Sequence, residues 1–188
     1  MTRGAGDAAP LKPAGFHAVS PSVLETADDP AVVGSDDIAR VIAAARQAPS
    51  GRARLILHPT RDDTLHEMVI ALPPSSCDHP HINFKSGKSF LALSGRFAVL
   101  IGSDDGQRIT PVVLSAGPWP GARMARLRAP AWHTIIPLDG DTVFLESIIG
   151  PFEGNRWAPW FPDESRPAER AVVADRLRSI ARAAAAAL

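Results

Sequence analysis

The spacing of apolar and polar positions divides the chain into a short helix, a long series of strands and a final helix. From Ser35 to about Ala48, Ile38, Val41 and Ile42 recur at helical spacing behind an acidic first turn. This predicts an amphipathic helix with Ser35 as N-cap, ending near Pro49 and Gly51. Strand-like runs follow at 53–58, 64–72, 89–102, 108–115, 124–128, 134–137 and 142–148. Turn-forming sequence separates them, as in Pro73-Pro74-Ser75-Ser76, Asp104-Asp105-Gly106 and Asp139-Gly140-Asp141. Short strands at even spacing, with no helices between them, predict a mainly β fold, an antiparallel sandwich or barrel.

From Pro167 the helical period returns, with Val173, Leu177, Ile180 and Ala184 on one stripe and Arg170, Arg176, Arg178 and Arg182 around it as a solvated face. Residues 1–20, rich in Gly, Ala and Pro, show no apolar period and read as a flexible arm. The expected organisation is thus an arm over 1–20, a helical segment over 21–52, a β-barrel over 53–164 and a C-terminal helix over 165–188. No internal repeat at a fixed period is present.

Composition narrows the function classes. At 188 residues the chain can bury a core of its own as one domain. Twenty Lys and Arg balance twenty Asp and Glu, so no global field draws the chain to nucleic acid or an anionic membrane, and a small-molecule ligand is the expected partner. No run approaches the ~18 apolar residues of a membrane helix, and the N-terminus lacks a signal-like apolar centre. With Cys77 as the lone cysteine, the expectation is a cytoplasmic protein.

The histidines hold the most informative chemistry. Alternation along a strand places His79, His81 and Asn83 on one face, so that His79 and His81 could present two imidazoles to one point, as a transition metal requires. The same pair could equally be a solvated surface feature. His58 and His66 have weaker claims to a site. Trp132, beside His133, is a candidate pocket wall, whereas Trp157 and Trp160 suit a barrel cap or an interface.

Between about 54 and 164 these features come in an order that resembles the WbuC-type family of cupin-fold proteins. The matching segments are Arg54-Leu55-Ile56-Leu57-His58, Glu67 to Leu72, Pro80-His81, Leu93-Ser94-Gly95-Arg96, Trp132-His133-Thr134, Phe144-Leu145-Glu146, Gly150-Pro151-Phe152 and Ala158-Pro159-Trp160-Phe161-Pro162. The resemblance implies a cupin jelly-roll β-barrel with a metal held by His-x-His, a glutamate and a last histidine. In the ungapped register His81 takes the first ligand position, Asn83 the second histidine, Lys88 the glutamate and His133 the last. The other register makes His79 and His81 the pair and needs an insertion before Lys88. Neither supplies a carboxylate, and a protonated lysine has no lone pair to offer a cation. The implied cofactor is a weakly held divalent transition metal (iron, zinc or nickel) on His81, His133 and His79, or none.

Lys88, if it points inward, is a candidate base or Schiff-base nucleophile, an anion-binding group, or a residue that simply reaches solvent. His133 and His81 join it as acid–base candidates. Arg54 and Arg96 follow the family pattern and are candidate ligand contacts with Asn83, and Glu146 is a partner for Lys88 or an arginine. Two functional classes remain open: a cupin-type isomerase, lyase or oxygenase acting on a sugar nucleotide or natural-product intermediate, and a non-catalytic cupin that binds a ligand or regulates. Either is expected to form a homodimer, which would cover exposed sheet edges.

Overall fold

The protein is described here from a computed structural model, which describes residues 12, 13, 15–84, 87–128 and 130–188. In chain order its elements are β1 (His17–Ser20), β2 (Val23–Glu25), α1 (Ser35–Gln47), β3 (Ala53–Ile56), β4 (Leu65–Leu72), β5 (His81–Asn83), β6 (Lys88–Ser94), β7 (Arg96–Gly102), β8 (Ile109–Ser115), β9 (Met124–Arg126), β10 (Trp132–Pro137), β11 (Thr142–Ile149), β12 (Asn155–Trp157) and α2 (Pro167–Ala186). They form a seven-stranded sheet, ordered β1-β2-β3-β4-β11-β6-β9, and a five-stranded sheet, ordered β12-β5-β10-β7-β8. Neighbouring strands run antiparallel except β2 and β3. From β5 to β12 the chain passes back and forth between the sheets, closing a jelly-roll barrel.

Each sheet is covered twice, and this explains its sequence. On β4, Met68, Ile70 and Leu72 face the opposite sheet while Val69 and Ala71 pack with Val41 and Ala45 of α1. On β7, Phe97 and Val99 face the intersheet core while Ala98 and Leu100 pack with Leu177 and Ala181 of α2. Strands buried on both faces read as unbroken apolar runs, and the layers are helix, sheet, sheet, helix.

The structure corrects several expectations. Residues 17–20 of the supposed arm form β1, anchored because Phe16 and Leu24 join the core under α1; residues 1–11 and 14 lie outside the described residues. Gly34, not Ser35, is the N-cap of α1, its N–H donating to the Asp37 carboxylate at 2.9 Å. The run 89–102 is two strands. At Gly95 (φ +74) the chain turns from one sheet into the other, in a conformation that an L side chain resists. The arginines of α2 are not a free solvated face, since Arg170, Arg176 and Arg178 donate to the carbonyls of Pro162, Gln107 and Ser75. Among the described residues no helix is long and apolar enough to cross a membrane.

The turn at Gly95 gives a direct test. A Cβ there would meet the Asp141 carbonyl oxygen at 2.5 Å, whereas Gly154, also at positive φ, has nothing within 4 Å of its Cβ position. Gly154→Ala is expected to cost about 1–3 kcal/mol of unfolding free energy through backbone strain alone. Gly95→Ala is expected to cost more, and urea unfolding of the two variants measures the difference.

Candidate functional site

The site lies where the two sheets face each other. In the five-stranded sheet His133 of β10 stands directly opposite His81 of β5, with ring centroids 4.5 Å apart. Alternation sends residues 133 and 135 inward and residues 132 and 136 outward, toward α2. In the seven-stranded sheet Lys88 of β6 pairs with Ile148 of β11, and Glu146 pairs with Phe90, so Lys88 and Glu146 are diagonal neighbours. The four side chains meet in the interior, each between 3% and 7% exposed.

Their hydrogen bonds fix the proton positions on the rings. His81 Nδ1 lies 3.2 Å from the His79 carbonyl oxygen, and His133 Nδ1 lies 2.8 Å from that of Ala131. A carbonyl only accepts, so each Nδ1 carries the proton and each Nε2 the lone pair. Lys88 Nζ donates to His81 Nε2 at 3.2 Å and to Glu146 Oε2 at 3.3 Å. His133 Nε2 is buried without a hydrogen-bond partner among the described residues.

Burial first, and the Lys88 charge after it, push His81 down to about 2 and His133 down to about 4. Both imidazoles are therefore neutral at pH 7. Burial likewise lowers the Lys88 amine from the ordinary lysine value, against the attraction of Glu146. For Glu146 burial acts upward, but Lys88, Arg52 and His133 together outweigh it and hold the carboxyl below the ordinary carboxylate value.

A cavity of about 330 Å³ opens from this cluster, with Lys88, His81 and Glu146 in its wall. Its lining includes the apolar side chains of Ile56, Met68, Ile148 and Phe152. It also includes the cations Arg52, Arg54 and Arg61. Arg52 and Arg54, two apart in sequence, reach the same wall. Arg52 makes an ion pair with Asp78 at 3.5 Å, yet Nε of both arginines is buried without a partner. Burial, then repulsion from Arg52, lowers Arg54 from the ordinary arginine value. Stacked His58 and His66, 4.0 Å between centroids, also line the cavity.

Of the residues singled out from sequence, His81, Lys88, Glu146 and Arg54 come together on the cavity wall, while His133 touches His81 without lining the cavity. Asn83 faces inward beside them, its Nδ2 donating to Asn155 Oδ1 at 2.8 Å and its Oδ1 buried without a partner. Three others are elsewhere. His79 packs against Trp157 and Phe161 with Nε2 on the Ala158 carbonyl, because the chain has not yet entered β5 at that point. Trp132 alternates to the outer face, where its Nε1 donates to Asp104 and Arg156 stacks on its ring. Arg96 pairs with Asp139 at 2.5 Å and is absent from the cavity wall. Sequence reasoning passed over Arg52, Arg61 and Asn155, although the Arg52-x-Arg54 alternation signalled two guanidinium groups on one strand face.

A divalent metal, implied by the cupin resemblance, does not fit the residues present. The Lys88 amine lies directly on the His81 lone pair that would bind it. Among the described residues no group of three or more His, Cys, Asp or Glu is placed to hold an ion.

Comparison with known proteins adds the following. Residues 33–114, from just before α1 almost to the end of β8, match a domain of unknown function, DUF6016. No curated protein sequence matches the chain. An oxalate oxidase in complex with the substrate analogue glycolate is similar with a TM-score of 0.49 at 17% identity, over 71% of this chain and 73% of that one. Oxalate decarboxylase of Bacillus subtilis, described for its Mn(II) centres, is similar with a TM-score of 0.43 at 14% identity, over 50% of this chain and 24% of that one. Peruvianin-I, a cysteine peptidase from Thevetia peruviana latex, is similar with a TM-score of 0.46 at 17% identity, over 60% of this chain and 72% of that one.

Proposed function

We propose that this protein binds an anionic small molecule, carrying a carboxylate or phosphate group, in the cavity between its sheets, and does so without a bound metal. The observation that carries this reading is the pair of arginines, Arg52 and Arg54, lining the cavity with buried Nε–H donors that nothing among the described residues satisfies. Two guanidinium groups on one wall repel each other, and an anion between them would supply the missing Nε acceptors and a counter-charge beyond the one that Arg52 finds in Asp78. The lining holds four permanent or potential cations, Arg52, Arg54, Arg61 and Lys88, against the single carboxylate of Glu146. The apolar lining residues would pack against the body of the ligand. A volume of about 330 Å³ is at the small end of ligand pockets, which favours a compact organic acid or a sugar phosphate moiety. The resemblance to WbuC-type cupins supports the phosphate-bearing alternative.

A second reading, as an enzyme, is favoured by one arrangement. Glu146, Lys88 and His81 form a connected chain that ends on the cavity wall. An ammonium whose acidity is raised by burial, beside a neutral imidazole, can give up and regain a proton, which is the chemistry of a metal-free isomerase or lyase.

The anion reading is tested by thermal shift and calorimetry with inorganic phosphate, malonate and UDP-glucose, each against Arg54→Gln. At least one probe is expected to stabilise the wild-type chain, and Arg54→Gln to weaken its binding by roughly 10- to 100-fold, the loss of a charge-assisted hydrogen bond. Binding of none of these anions, or equal binding by the variant, would refute the reading.

The neutral imidazoles set a pH dependence. In the unfolded chain a histidine titrates near 6.5, whereas folding holds His133 at about 4 and His81 at about 2. As pH falls below 6.5 the unfolded state takes up protons that the folded state refuses, so stability declines with falling pH. Burial lowers His58 in the same sense. From pH 6.5 toward pH 5 the slope is expected to approach about 1.4 kcal/mol per pH unit for each of His81 and His133. Denaturant unfolding over this range should show it, and His133→Gln should remove one histidine's share.

A further inference from the structure

The inward-facing groups around Lys88 have one property in common: they are acceptors. His81 and His133 each spend their ring proton on a backbone carbonyl two residues earlier in the chain, at 3.2 and 2.8 Å, and so present bare Nε2 lone pairs to the interior. Glu146 is a carboxylate, and the buried, unpartnered atom of Asn83 is its amide oxygen. An imidazole locked by a backbone carbonyl at Nδ1, with Nε2 free, is how proteins present histidine to a metal ion. Here the positive centre facing this acceptor set is Lys88 Nζ, 3.2 Å from His81 Nε2 and 3.3 Å from Glu146 Oε2.

From this geometry we infer that Lys88 is a resident cation: its ammonium stands where a divalent metal would stand, satisfying the lone pair of His81 and the charge of Glu146, so that one substitution at Lys88 opens a metal site. The charge arithmetic agrees. Lys88 and Glu146 neutralise each other, while Arg52 and Arg54 stand on the wall of the same cavity. A divalent ion added to this arrangement would be a further positive charge in a desolvated site already carrying cations, and it would have to displace the ammonium from His81. Exchanging lysine for glutamate removes one positive charge and adds a negative ligand on the same strand position. Two imidazoles and two carboxylates then face one another across the sheets, a donor set suited to zinc, nickel or manganese. The inference does not depend on the anion reading, because it concerns how the acceptors are held and not what enters the cavity.

The test uses the full chain, stripped with a chelator and titrated with Zn²⁺, Ni²⁺ or Mn²⁺ alone. Lys88→Glu is expected to bind one ion per chain at least roughly 100-fold more tightly than wild type, to gain thermal stability on loading, and to lose both effects when His81→Asn is added. A folded Lys88→Glu chain that gains no affinity would overturn the inference. Should that variant not fold, nitrogen-15 spectra of the wild-type histidine rings decide the matter. Expected are Nδ1-protonated rings for His81 and His133 whose resonances do not move with equimolar Zn²⁺, whereas movement of both, or Nε2-protonated rings, would show that Lys88 does not hold the cation position.

Discussion

The contact between Lys88, Glu146 and His81 joins the two sheets through buried polar groups, and the interior is arranged around it. A buried ammonium is tolerable only if its charge is met and its N–H groups have acceptors. Glu146 meets the charge from the adjacent strand of the same sheet, and His81 supplies a lone pair from the facing sheet. That lone pair is available only because the other ring nitrogen is committed to a backbone carbonyl. The local turn before β5 therefore reaches into the electrostatics of the whole cavity. Breaking such a pair by removing one partner leaves an unpaired buried charge and typically costs about 3–5 kcal/mol. The site and the stability of the barrel are consequently coupled.

The scaffold makes this possible by covering both sheets from outside. With α1 on one and α2 on the other, the outer faces are shielded from water, and the inner faces can combine an apolar core of Phe90, Phe97 and Phe144 with one polar cluster at its end. The cavity that opens from this cluster combines apolar side chains with arginines whose Nε–H groups find no acceptor among the described residues. Buried donors left without acceptors on a cavity wall are where a ligand's polar atoms can be met.

Much of the fold was legible in the sequence because the signals are local. The helices at 35–47 and 167–186 follow from period and flanking proline, and most strands follow from apolar runs between turns. The division at Gly95 was missed because nothing in an unbroken apolar run says that it changes sheets. For the site, the fold gathers His81, Lys88, Glu146 and Arg54 on one cavity wall, while His133, expected in the pocket from the Trp132-His133-Thr134 segment, lies against His81 without lining the cavity. Trp132 was misplaced because adjacency in sequence means opposite faces in a strand, so the neighbour of an inward histidine points outward. Arg52 and Arg61 went unnoticed because arginines near turns look alike until a cavity is seen beside them.

By itself the sequence determined the strand-rich class, the positions of the two helices and the chemical inventory, because periodicity and residue type are properties of neighbouring positions. It also determined that the motif near His81 lacks a carboxylate and carries a lysine. Only the tertiary structure decided that Lys88 meets Glu146, 58 residues away, that the imidazoles of His81 and His133 lie 4.5 Å apart, and that His79 turns elsewhere. Those facts depend on the pairing of β5 with β10 and on the stacking of two sheets. Both are set by the burial of the whole core, which no short stretch of sequence contains.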